Sequence, residues 1–169
     1  MIRTAKYEEA EAIQSLILRY TENGQMLYRA LPEIQANIGD FLVYIEDGKV
    51  VGICSLKFGW GKLVEIRSLC VDPAYYRRGI GSCLVKECMD RALQTTNESI
   101  FVLTYAVQLF EKLGFKAVEK TTLPMKVWND CTGCLHQDRC DETAMVLPLG
   151  TPKKVEPAPV QNPEYLPHC

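Results

Sequence analysis

At 169 residues, with 47% apolar and 24% charged residues and a formal net charge of −2, the chain has the length and composition of one globular domain with a sizeable core. It lacks the basic excess of a nucleic-acid binder, and no apolar run approaches the ~18 residues of a membrane span, so neither nucleic acid nor membrane is an expected partner. The N-terminal stretch MIRTAKYEEAEAIQSLILRY carries acidic residues ahead of its apolar positions and no small-residue cleavage site, unlike a secretory signal; a cytoplasmic location is expected.

Ala10, Ile13, Ile17 and Tyr20 fall at helical spacing in YEEAEAIQSLILRY, with acids in the first turn where the helix dipole favours them. A loop and a short second helix starting near Pro32 follow. FLVYIEDGKVVGICSLKF holds two apolar runs around Asp47-Gly48, a strong hairpin signal. KLVEIRSLCV reads as the next strand, ended by Asp72-Pro73. Beyond YYRRGIG, the residues Leu84, Val85, Cys88, Met89 and Ala92 make the apolar stripe of a long amphipathic helix. SIFVLTY then reads as a buried strand, AVQLFEKLGF as a helix stopped by Gly114, FKAVEK as a strand and ETAMVLPL as the closing strand. The last 19 residues hold five prolines and read as an extended or disordered tail. Hairpins early and interleaved helices late argue for a mixed α/β sheet.

The stretch YYRRGIGSCL, residues 75 to 84, joins a strand to a helix through Gly79-Ile80-Gly81. Backbone N–H groups at such a helix start converge on one place, where the helix dipole adds positive character. Two readings stand on these residues alone: a phosphate cradle with Arg77 and Arg78 at its rim, or an ordinary loop-to-helix connection. A P-loop is excluded, since no Gly-Lys-Ser/Thr follows, and so is a dinucleotide fingerprint, whose third glycine is replaced by Leu84.

In context, with LCVDPAYY before the loop and LFEKLGF about thirty residues later, this set resembles the GNAT superfamily of acetyl-CoA-dependent N-acetyltransferases. The resemblance implies an α/β (α+β) fold with a mixed, mostly antiparallel central sheet flanked by helices on both faces. It also implies acetyl-CoA as cosubstrate, its pyrophosphate held by backbone amides of Arg77, Arg78, Gly79, Ile80, Gly81 and Ser82. Tyr76 stands where the family usually has Gln or Arg. The segment from Phe101 to Leu147 is further similar to short, single-domain amino-acid N-acetyltransferases related to N-acetylglutamate synthase, which open arginine biosynthesis, although Met125 replaces their usual His. Residues 1–149 are thus expected to form the acetyltransferase domain, with a cysteine-rich excursion at about 128–141, and 150–169 the tail. No amino-acid-kinase-like region is recognised in the chain.

Acetyl transfer needs a neutral amine, and an alkylammonium with a pKa of ~10.4 is neutral in roughly one molecule in 2,500 at pH 7, so a base is useful. Glu65 is unexpected within the apolar run LVEIRSL. It either faces a cleft or pairs with Arg67, two residues on along the same strand face; the resemblance favours the first, since related synthases carry a glutamate base on the fourth strand. The resemblance further implies an oxyanion donor and pantetheine contact in the backbone of Leu69, Cys70 and Val71. The family's usual proton donor, a tyrosine, is replaced by Phe110, which leaves Tyr105 or Thr104 as substitutes. Arg29 falls where the synthases place a carboxylate-binding arginine, with Arg67 and Lys126 as further candidates.

Of eight cysteines, Cys54, Cys70, Cys83 and Cys88 fall in apolar segments and read as buried thiols. Cys131, Cys134 and Cys140, with His136 between them, form Cys-x2-Cys-x5-Cys. This is read as a structural zinc site, a reduced thiol cluster or a redox pair. The expected partner is a small amine or amino-acid acceptor, glutamate first, and the reading allows a homodimer. An acetyltransferase for another small amine or a protein lysine, and a non-catalytic acyl-CoA or redox sensor, are the competing readings.

Overall fold

The computed structural model describes residues 1–124 and 140–150. Among these, seven strands and four α-helices follow one another as β1 (Ile2–Thr4), α1 (Ala10–Thr21), α2 (Leu31–Ala36), β2 (Phe41–Glu46), β3 (Lys49–Trp60), β4 (Leu63–Val71), α3 (Ile80–Leu93), β5 (Ser99–Thr104), α4 (Val107–Lys112), β6 (Lys116–Ala117) and β7 (Thr143–Pro148). The strands make one sheet in the order β1-β2-β3-β4-β5-β7-β6. Only β4 and β5 run parallel; the other pairs are antiparallel. The expected mixed, mostly antiparallel sheet is therefore present.

The hairpin forms as its Asp-Gly signal requires. Glu46 pairs with Lys49, and Asp47 (φ 49°) and Gly48 (φ 74°) both take the left-handed conformation of a type I′ turn. Period-2 alternation then sends neighbouring β2 side chains to opposite faces. Leu42 joins Leu84, Val85, Cys88 and Ala92 of α3 in one core, whereas Phe41 and Val43 pack with Ala10, Ile13 and Ile17 of α1 and Ile34 of α2 in the other. The helices thus cover both faces. Gly52 sets how closely α3 can sit on the sheet, because a Cβ there would lie 2.9 Å from Ile80 Cγ2 and 3.2 Å from Leu84 Cδ1.

Three readings change. The strand expected over FKAVEK shrinks to Lys116–Ala117, an exposed edge pairing with Val146 and Met145 only. The last strand lies between β5 and β6 and does not close the edge, while β1 was too short to show alternation in the sequence. Cys54, Cys70 and Cys88 are buried free thiols as expected, but Cys83 is disulfide-bonded. A count of apolar neighbours reports burial and cannot tell a thiol from a bridged sulfur. The cysteines 131 and 134 and residues 151–169 of the tail lie outside the described residues.

Two irregularities in β4 shape the middle of the molecule. Between Ile53 and Ser55 of β3 the partner residues run from Cys70 to Arg67, so β4 carries one extra residue at a bulge where Ser68 has φ 52°. β4 also pairs with β5 only from Leu63↔Ser99 to Ile66↔Val102, although both strands continue. Past that point they separate.

Candidate functional site

The separation of β4 from β5 opens a cavity of about 420 Å³. Its walls come from Ile66–Leu69 of β4, Val102–Thr104 of β5 with Tyr105 and Ala106, Gln25–Leu27 and Arg29 before α2, and Tyr20, Tyr76, Phe110 and Glu142. Glu65, Arg67, Leu69, Arg29 and Tyr105, chosen from separate parts of the sequence, all line this one space. Lys126, Cys131 and Cys134 lie outside the described residues. Cys140 is a half-buried free thiol, and no group of three or more metal-ligating side chains occurs among the described residues.

Glu65 is only 7% exposed and accepts a hydrogen bond from Trp60 Nε1 at 3.1 Å. The indole reaches it because the β3–β4 hairpin folds Trp60 back onto Leu63 and the adjoining β4 residues. A donor on a buried carboxylate both orients it and offsets part of its desolvation. Arg29 has a side chain 14% exposed, paired with Glu33 one turn into α2 at 2.9 Å, and its carbonyl accepts from Gln14 Nε2 at 3.2 Å. Arg67 is fixed through its backbone, whose carbonyl accepts from Ser55 Oγ at 3.1 Å. Arg29, Arg67 and Ser68 also line a second, small crevice, together with Ser55, Glu33 and Asp40.

The turn after β4 is built to present a helix N-terminus. Asp72 caps the short 3-10 turn Pro73–Tyr75 within it, accepting from Ala74 N at 3.0 Å and from Arg19 Nη1 at 3.0 Å. Arg77 (φ 62°) and Gly79 (φ 77°) take left-handed conformations and start α3 at Ile80. Around Gly79 a Cβ would meet nothing within 4 Å, and at Gly81 its nearest neighbours would be Leu109 Cδ2 at 3.8 Å and Val71 Cγ2 at 3.9 Å. Space therefore remains in front of the helix for a phosphate group, beside first-turn amides that a helix leaves unpaired. Arg78 does not wait at the rim: it pairs with Glu46 of β2 at 2.5 Å and stacks over the Tyr75 ring, 5.2 Å from its centroid. It braces the loop, whereas Arg77 remains exposed.

Tyr105 is half exposed, and its hydroxyl donates to Asp141 Oδ1 at 2.7 Å; this carboxylate and partial burial raise the phenol well above its usual pKa. Thr104 Oγ1 accepts from Ala106 N at 2.9 Å and is spent on the turn into α4. Phe110 is buried and packs edge-on against Phe115, with ring centroids 5.1 Å apart.

Four contributors escaped the sequence reading. Trp60 is brought in by hairpin register alone, and Tyr20 and Tyr76 by the meeting of α1 with the turn after β4. Glu142 is pushed up to about 7, chiefly by burial and further by Asp141, against the pull of Lys120. Just ahead of the strand Thr143–Pro148, Asp141-Glu142 looks like an ordinary solvated pair.

A model of the acetyltransferase (GNAT) family matches residues 8–115. The chain is 38% identical over 148 residues to an uncharacterized N-acetyltransferase of Chlorobaculum tepidum, covering 88% of this chain and 96% of that one. It is 31% identical over 136 residues to an amino-acid acetyltransferase of Mycobacterium tuberculosis, covering 77% and 76%. Its fold superimposes with a TM-score of 0.79 on N-acetylglutamate synthase from Neisseria gonorrhoeae, solved with coenzyme A and N-acetyl-glutamate. That match has 25% identity and covers 88% of this chain but 35% of the synthase.

Proposed function

The chain belongs to the acetyltransferase (GNAT) family and is an acyltransferase with acetyl-CoA as its cosubstrate; from this we propose that it N-acetylates a small carboxylate-bearing amine, an amino acid such as glutamate, and serves arginine biosynthesis in the cytoplasm. One observation carries the reading: a buried carboxylate and two guanidinium groups, Glu65, Arg29 and Arg67, share the cavity between the diverging strands. An acceptor with a carboxylate and an ammonium matches that charge pattern, and a guanidinium fork suits a carboxylate geometrically. Relatives named as amino-acid acetyltransferases support the same acceptor class.

In this reading Arg29 and Arg67 hold the acceptor carboxylate, with Lys126 as a further candidate, while Glu65 takes the proton from its ammonium. From Arg67 onward β4 has a strand partner on its β3 side only, among the described residues. The N–H groups of Leu69–Val71 on the open edge are the proposed donors to the thioester carbonyl. The amides of the loop into α3 and of its first turn, from Arg77 to Ser82, hold the pyrophosphate of coenzyme A. Tyr105, which lines the cavity and is kept in its protonated form beside Asp141, is the proposed donor of a proton to the departing thiolate. A thiolate also takes protons from water, so this donor contributes less than the base.

Thiol release from acetyl-CoA with a panel of amino acids tests the proposal. Turnover is expected with glutamate or a close analogue, and Arg29→Ala should raise its KM with a smaller effect on kcat. Turnover confined to amines without a carboxylate moves the protein to another acceptor class. Acetyl-CoA binding without turnover on any acceptor replaces an enzyme by a sensor.

A further inference from the structure

On the wall of the cavity, α1 and the turn that leads to α3 are joined through two tyrosine hydroxyls. Tyr20, in the last turn of α1, and Tyr76 both line the cavity, and their hydroxyls hydrogen-bond each other. A phenol has one proton to give. Tyr20 gives its own to the carbonyl of Val71 at the end of β4, 2.5 Å away; Tyr76 must therefore be the donor in the pair, and the chain runs Tyr76 to Tyr20 to Val71.

The same helix reaches the other segment. Gln14 of α1 donates to the carbonyl of Arg29, and Arg19 of α1 holds Asp72 at the start of the turn. Tyr76 itself is 51% exposed, so packing alone does not fix its ring. Directly after it, Arg77 sits at φ 62°, a conformation a non-glycine residue adopts only when its surroundings hold it there.

We propose that the Tyr76–Tyr20 pair is a positioning strap between the two ligand-binding segments, through which coenzyme A at the Gly79–Gly81 loop and an acceptor at Arg29 favour each other's binding. The inference rests on the site assignments of the proposed function. Such coupling is reciprocal by thermodynamic necessity, so it can be read from either ligand.

Calorimetric titration of the full chain with coenzyme A, alone and at saturating L-glutamate, gives the coupling as a ratio of two dissociation constants. A ratio of about 5 or more is expected for the native sequence. Tyr76→Phe keeps the ring and leaves the Tyr20–Val71 bond in place; it should bring the ratio toward one at an unchanged melting temperature. Tyr20→Phe should lower the ratio as far, with some loss of melting temperature because the Val71 carbonyl also loses its donor, and the double variant should lower the ratio no further, as members of one network behave. A native ratio of one, or a Tyr76→Phe variant that keeps the native ratio, overturns the strap and leaves the site assignments standing. Weakened L-glutamate binding that is equal with and without coenzyme A also overturns it, since the hydroxyls would then be direct acceptor contacts. If coenzyme A does not bind the native protein, or L-glutamate does not bind its coenzyme A complex, the corresponding site assignment falls and takes the strap with it.

Discussion

Glu65 and Glu142 are two carboxylates on one cavity, held in different ways. Glu65 receives the Trp60 indole and is the proposed base, so Glu65→Gln is expected to lower kcat by about 10²–10⁴-fold while leaving acetyl-CoA affinity unchanged. Tyr105→Phe should cost much less; steady-state kinetics on the two variants checks the order. Glu142 has its pKa raised in the fold, so the folded state holds its proton more tightly than the unfolded chain does. Its contribution therefore favours the fold at low pH and is lost as pH rises from about 4.5 through about 7, on the order of 2 kcal/mol once solvent screening of a partly exposed carboxyl is allowed for. Thermal melts at pH 5 and pH 8 should show Glu142→Gln gaining on the native protein as pH increases; a constant difference would mean the carboxyl is not desolvated. Glu65 was legible because a charge inside an apolar run must be explained. Glu142 was not, because a polar residue in polar sequence gives no sign that other segments will fold over it.

The turn from β4 into α3 shows how one glycine motif divides into two roles. Gly79 is required by the backbone, since its φ of 77° costs an L-residue about 1–2 kcal/mol. Gly81 has ordinary helical backbone and room for a methyl group. Gly81→Ala is thus expected to keep or slightly raise the melting temperature, by up to about 1 kcal/mol in stability, while lowering coenzyme A affinity at least tenfold if the amides approach a phosphate there. Gly79→Ala should lower both. Melting and calorimetry on the two variants separate backbone need from ligand approach. The motif, the strand before it and the helix after it were readable from spacing. The bulge at Ser68 was not: LVEIRSLCV reads as an apolar run broken by Glu65 and by the polar pair Arg67-Ser68, and the extra residue appears only against the register of β3.

For the whole molecule, the proposed site predicts that acetyl-CoA stabilises the fold by mass action. At about 100 times its dissociation constant it should add about 2.7 kcal/mol, or roughly 5–10 °C in melting temperature for a domain of this size. Gly79→Val should abolish that shift, and a shift that survives would place the ligand elsewhere. The sequence by itself determined the elements other than β1 and the extent of β6, and the motif, because periodicity, Asp-Gly, Gly-Ile-Gly and the carboxylate in an apolar run are local signals carried by neighbouring residues. It also carried the resemblance from which the base and arginine candidates were chosen. Tertiary structure alone decided that β7 slips between β5 and β6, that β4 and β5 part after Ile66 and Val102, that Tyr20, Tyr76 and Glu142 reach the resulting cavity, and that Trp60 reaches Glu65. Those outcomes depend on which distant segments pair and pack. Burial, register and hydrogen-bond partners are properties of that meeting and have no signature in any one stretch of chain.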